Sequence, residues 1–264
     1  MKEKHYLYIL LSLYAFTIFG HELAELPFEW FVSNYSNLML KNILNVTFLL
    51  VLMVFLVFFW QKIKNHPGRK TLIVYGIITV IFSVLSYRYL MPYKSEGIHF
   101  IQFGILGYVC MLWVPNIWFS LNMVAIMGIF DEIYQYINSN STYLDFNDMV
   151  LNFFGVALGI VFYKLVNKNS KISIRGNIKH LGYVLQVFFI GSLLILLLLN
   201  VISIYGGEEA GRSIIRNPYG GWAENFFNPI DFGPPWHRVK PYEGMFYVLL
   251  MPLLYLPMAR ALDK

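Results

Sequence analysis

The sequence predicts an all-α fold, a polytopic transmembrane helix bundle of about eight spans with both termini cytoplasmic. Three observations carry this expectation. Hydrophobic residues make up 58% of the chain and charged residues only 13%, which leaves no polar shell for a soluble core. Eight apolar runs, near 5–21, 42–61, 71–90, 98–114, 117–136, 148–166, 182–204 and 243–260, approach or reach the roughly 20 residues needed to cross about 30 Å of hydrocarbon. The runs are continuously apolar and do not alternate with period two, which selects helices over the strands of a membrane barrel.

Taken in order, the first run follows Lys2 and Lys4 and imitates a signal peptide. No small-x-small cleavage site follows Phe19; His21, Glu22 and Glu25 come next, and the segment reads as a retained span. Spans two and three flank a basic loop of Lys62, Lys64, Arg69 and Lys70, and spans four and five meet at the turn from Trp113 to Asn116. Span six runs into a second basic loop, with Lys164, Lys168, Lys171, Arg175 and Lys179. Between spans seven and eight, Tyr205 to Tyr242 is rich in Gly, Pro and Trp and long enough for a functional loop. With both termini inside, the cytoplasmic side collects 13 of the 20 Lys and Arg, and only Glu3 and Asp263 of the acids. The outer side then holds 7 basic and 13 acidic residues. Three segments follow: 1–70 with two spans and an outer loop, a four-span core over 71–166, and 167–264 with two spans and the long outer loop.

Several function classes drop out. The net charge of +5 is spread between apolar runs and forms no basic face, so no nucleic acid is expected as a partner. Cys110 is the single cysteine, which excludes an intramolecular disulfide and a cysteine metal cluster. No Ser-His-Asp order, P-loop or GxGxxG is present, and no strong metal motif. The sequence specifies neither a cofactor nor an oligomeric state.

Ionisable residues within spans are costly and are, by default, candidates for function. Span four opens with Glu96 and His99, span five ends with Asp131, Glu132 and Gln135, and span six opens with Asp148 and Asn152. Counted from the cytoplasmic ends, His99, Asp131 and Asn152 each lie roughly 18–21 Å deep at the helical rise, in the outer third of the bilayer. The i,i+3 pair Glu96/His99, the i,i+4 pair Asp131/Gln135 and the stripe Asp148, Asn152, Gly155, Gly159 each put these groups on one helix face. Structural roles compete with the functional ones. Asp148 suits a helix N-terminus, Asn152 an interhelical hydrogen bond, and His99 an interfacial contact. Asp131 and Glu132 resist such a role best, being adjacent carboxylates at a helix C-terminus whose dipole disfavours them. They require a proton, a cation or a basic side chain such as Arg88.

At these residues the sequence resembles the VanZ-like family of bacterial membrane proteins. The motifs are EGIHFIQFGILGY from Glu96, DEIYQ from Asp131 and DFNDMVLNFFGVALG from Asp145, in the family's order and spacing. The resemblance covers roughly 71–166 and implies a role at the outer face of a bacterial cytoplasmic membrane, near membrane lipids or lipid-linked envelope precursors. The family's namesake is associated with resistance to the glycopeptide teicoplanin. On this reading His99, Asp131, Glu132 and Asp148 are the catalytic candidates, and Arg88, Glu96, Gln135 and Asn152 contact substrate. One departure stands out. Where the family usually has an Arg between Gln135 and Asp148, this chain reads NSNST from Asn138 to Thr142; Arg88, Arg212, Arg216 or Arg238 are the candidates to replace it. A proton-coupled transporter and a non-catalytic accessory or immunity protein are the competing classes.

Overall fold

In the computed structural model the described residues are 2–20, 26–27, 30–31, 33–91, 94–138, 144–168, 179–199 and 235–263. Within the described residues each predicted span contains a helix: α1 (Lys2–Phe19), α2 (Asn37–Ile63), α3 (Arg69–Tyr89), α4 (Ile98–Trp113), α5 (Ile117–Asn138), α6 (Phe146–Val166), α7 (Leu181–Leu198) and α8 (Pro241–Leu254), which continues as α9 (Leu256–Leu262). Among the described residues, six of these units are long and apolar enough to cross a membrane. The count differs from eight for two local reasons. Helix α4 has 16 residues, short of a full hydrocarbon crossing at about 1.5 Å per residue. Helix α1 begins with Lys2, Glu3 and Lys4, which take up its first turn.

Local chemistry sets the helix ends. Ser36 caps α2 by accepting the Met39 N–H at 3.2 Å, Asn116 caps α5 by accepting the Phe119 N–H at 2.8 Å, and Asp145 caps α6 by accepting the Asn147 N–H at 2.8 Å. Helix α4 ends just before Pro115, which cannot continue it. Pro241 opens α8, where its fixed φ is already helical and its missing N–H has no intrahelical partner to lose. Pro257 has no N–H to return to the preceding turn, and the helix breaks at Tyr255 between α8 and α9.

Helix α6 is the axis of the bundle, buried along most of its length, with α3, α4, α5 and α8 against it. Its closest neighbour is α4. A Cβ at Gly155 would lie 2.9 Å from the carbonyl oxygen of Phe100, one at Gly107 would lie 2.7 Å from that of Val156, and one at Gly159 would collide with the carbonyl of Gly104. The two backbones are in contact, as small residues allow in membrane packing. At the opposite extreme, none of the most apolar stretch of α2 is buried. Val46, Leu50, Val54 and Val57 are exposed along it, the face a helix turns to hydrocarbon.

At the end of the bundle rich in Lys and Arg, Lys164 of α6 joins three distant parts of the chain. Its Nζ is 2.9 Å from Asp263 Oδ1 and donates to the Leu262 carbonyl, while its own carbonyl accepts from His66 Nε2 at 2.9 Å. Asp263 Oδ2 in turn accepts the Ile117 N–H at 2.7 Å, at the start of α5. The Gly68 N–H donates to His66 Nδ1 at 3.0 Å, so His66 is neutral with its proton on Nε2. Burial, the largest influence, lowers the His66 pKa and raises that of Asp263.

Candidate functional site

At the other end of the bundle α4, α5 and α6 bring together most of the residues singled out by the motifs. Asp131 is 0%, Asn152 1%, and Glu132 and His99 2% exposed, so a polar centre lies inside an otherwise apolar bundle. Asp148, in the first turn of α6, has its Oδ2 3.9 Å from His99 Nε2 and is 18% exposed, which puts it at the mouth. Asn152 lies one turn deeper and packs against Gly128. A Cβ there would be 3.3 Å from Asn152 Nδ2. Gly128 in turn precedes Asp131 and Glu132 by three and four residues, so it shares their face of α5.

Two details change the expected electrostatics. The capping role foreseen for Asp148 belongs to Asp145, leaving Asp148 to face His99. Helix α5 also runs on to Asn138, which places Asp131 two turns inside it. A helix dipole fades within its last turn, so desolvation, more than the dipole, disfavours these charges. Glu132 accepts the backbone N–H of Asp145, which seats it at the N-terminus of α6. Among the described residues, the charges acting on Glu132 are those of Asp148, Asp131 and Asp145. Among the described residues, Oε1 of Glu132 and both Oδ1 and Nδ2 of Asn152 are buried without a hydrogen-bond partner. Three such atoms in one place are unusual, because a buried polar group left unpaired costs roughly 1–3 kcal/mol.

Gln135 sits one turn beyond Asp131 and interacts with its carboxylate. Glu96 lies in the short 3-10 turn Lys94–Gly97 that leads into α4. Arg88 is not brought to the acids: it is exposed on the last turn of α3, with its guanidinium 5.8 Å from the Tyr89 ring centroid. Arg238 is closer to the mouth in the fold, because its neighbour Val239 donates its N–H to Asn147 Oδ1 at 2.8 Å and Asn147 also donates to the Leu90 carbonyl. Arg212, Arg216, His21, Glu22 and Glu25, and the loop residues after Asn138, lie outside the described residues. Among the described residues, no three of His, Cys, Asp and Glu are placed to hold a metal ion.

Tyr14 was not foreseen. Its hydroxyl donates to the Met127 carbonyl at 2.9 Å and lies near enough to feel the Asp131 charge, so α1 closes the side of the centre. A lone Tyr in an apolar run gave no signal, since the partner is 113 residues away.

Behind the centre, on the other side of the glycine contact between α4 and α6, lies a lipid-facing crevice of about 510 Å³. It is bounded by Phe48 and Phe55 of α2, Val84 of α3, Ile101 and Ile105 of α4, and Phe162 of α6, and is almost wholly apolar. Gly97 and Ile98, at the first turn of α4, line its end nearest the acids.

Residues 46–167 match the family model described as VanZ/LLP1. This segment is VanZ-like. It holds every residue of the polar centre except Tyr14, and, by starting within α2 instead of at 71, it also takes in all four walls of the crevice. The apolar helices and the VanZ-like segment together make this a multi-pass membrane protein. Neither a curated protein nor a solved structure matches the chain.

Proposed function

We propose that the protein binds or modifies a cell-envelope lipid or a lipid-linked precursor at the outer face of a bacterial cytoplasmic membrane. The observation that carries this reading is the set of buried, unpaired polar atoms on Glu132 and Asn152, beside the buried carboxylate of Asp131. Such a set costs folding free energy, and a structure retains it most readily where a ligand completes it. His99 and Asp148 at the mouth are the pair suited to move a proton. The neighbouring crevice suits the chain of an amphiphile that enters sideways from the bilayer. The basic loops support the cytoplasmic placement of the Lys164 end, so that the acids face outward. A link to teicoplanin resistance rests on the family resemblance.

The test separates this reading from a purely structural role for the centre. Asn152→Leu removes two unpaired atoms at similar volume, which is near neutral or stabilising for folding. The expected outcome is a melting temperature at or above that of the parent together with loss of the envelope phenotype, for example glycopeptide tolerance in a deletion strain. A destabilised protein, or an unaltered phenotype at equal protein level, would sink the proposal.

A further inference from the structure

We propose that Lys41, Trp236 and Arg238, at the outer end of the lipid-facing crevice, bind the phosphate of an anionic membrane lipid, one chain of which lies in the crevice. This rests on the lipid reading above and names the headgroup chemistry and its seat.

The segment that leads into α8 carries two of the three groups. The His237 N–H donates to the Tyr89 carbonyl at 2.7 Å and the Val239 N–H to Asn147 Oδ1 at 2.8 Å, so alternate N–H groups are fastened to α3 and α6 as along a strand edge. That alternation puts the side chains of Trp236 and Arg238 on one face of the segment, about 7 Å apart along it. His237 takes the other face, where its Nε2 lies 2.9 Å from Glu243 Oε2 and Tyr247 donates to the same carboxylate at 2.7 Å, so that acid is already engaged. Among the described residues, Trp236 Nε1 and Arg238 Nη1 are buried donors without an acceptor. The third group comes from α2, whose Lys41 Nζ lies 5.9 Å from the Trp236 ring centroid.

Ammonium, guanidinium and indole N–H are all donors, and none of them accepts. A phosphate brings acceptor oxygens and the opposite charge, and Arg suits its geometry. The cluster also runs on into the crevice. On α2, Lys41, Leu44, Phe48 and Val51 follow at spacings of 3, 4 and 3, which is one helix face, and the last three line the crevice. On α3, Tyr87 lines it too and donates to Asn45 Oδ1 at 2.8 Å, two residues before the Tyr89 carbonyl that holds His237. Charged groups followed by an apolar groove match the order of headgroup and chain in a lipid. A dry cavity of about 150 Å³ holds one benzene, so the 510 Å³ crevice has room for roughly twenty carbons, one acyl chain. Interfacial Lys, Arg and Trp attract phospholipids at large. The two buried donors and the groove behind them set this cluster apart. A choline headgroup would bring a like charge to Lys41 and Arg238, so the lipid selected is one whose phosphate is not offset.

The test uses the full chain in nanodiscs of equimolar phosphatidylglycerol and phosphatidylcholine with identical acyl chains. Lipids retained per folded chain are counted by native mass spectrometry. The parent is expected to hold phosphatidylglycerol in about tenfold preference, one decade in affinity. Arg238→Gln and Lys41→Gln are each expected to bring that ratio toward one. Lys62→Gln, at an exposed lysine near the other end of α2, is expected to leave it unaltered. Val51→Trp, at an exposed position lining the crevice, fills the groove and is expected to release the bound lipid. The ratio is read within each variant, so yield does not enter, and if Arg238→Gln prevents folding Lys41→Gln still decides. An equal fall in Lys62→Gln overturns the site in favour of general charge attraction. Equal retention of both lipids by the parent, with loss of both in Val51→Trp, overturns the phosphate cluster and leaves the lipid reading standing. A preference that survives Val51→Trp overturns the crevice as the seat of the chain. A parent that retains neither lipid overturns cluster and crevice together, while the phenotype of Asn152→Leu still decides the role of the polar centre.

Discussion

Lys164→Met is the substitution whose effect the structure fixes most closely. It removes the ammonium beside Asp263, with side chains 5% and 11% exposed before the change. Stranding one member of a buried ion pair costs about 3–5 kcal/mol. Asp263 is not fully stranded, because the Ile117 and Trp118 N–H groups still reach it. Burial already raises its pKa, so without Lys164 it sheds part of the penalty by taking up a proton. The expected loss is therefore about 2–3 kcal/mol, or roughly 5–10 °C in the melting temperature of a chain this size. Thermal unfolding of the detergent-solubilised protein, followed by tryptophan fluorescence, measures it. The double variant Lys164→Met/Asp263→Leu is expected to lose at least about 1 kcal/mol less than the two single losses combined, since neither charge is then left alone. A midpoint within about 1 °C of the parent for Lys164→Met, or strictly additive losses, would refute the reasoning.

Three further outcomes are expected. Gly159→Ala pushes a methyl into the Gly104 carbonyl and should cost about 1–3 kcal/mol, with Gly191→Ala, where nothing lies within 4 Å, as the neutral control in the same melting assay. Protonating His66 needs a proton on Nδ1, where the Gly68 N–H already points, and its lowered pKa fixes the sign: stability is complete above the ordinary value of 6.5 and falls as pH drops below it. Melting temperature against pH should show that fall in the parent and a flatter profile in His66→Gln. Tyr14→Phe removes one hydrogen bond to the Met127 carbonyl and should cost about 1 kcal/mol while weakening the hold of α1 on the centre, read as faster proteolysis of the N-terminal helix.

How much of this was visible in the sequence depends on the range of the interaction. Run length and continuous apolarity located every long helix among the described residues, because covering a polar backbone in hydrocarbon is a local demand. The number of crossings was less secure, since three charges at the start of α1 or a few missing residues in α4 change a span without changing the helix. Most of the candidate site was also legible: the i,i+3 and i,i+4 spacings put His99, Asp131, Asp148 and Asn152 on single helix faces, and the structure brings those faces together with Glu132. Tyr14, the Lys164–Asp263 pair and the isolation of Arg88 were not legible. Each depends on which helices become neighbours, and neither periodicity nor charge bias carries that information.

The first turn of α4 serves two rooms at once. His99 faces the acids, while Gly97, Ile98, Phe100 and Ile101 on the same turn form part of the crevice wall. That turn meets the α6 backbone at Gly155, and the next turns of α4 meet it at Gly159. A chain lying in the crevice would therefore rest against the same backbone turn that presents His99 to Asp148.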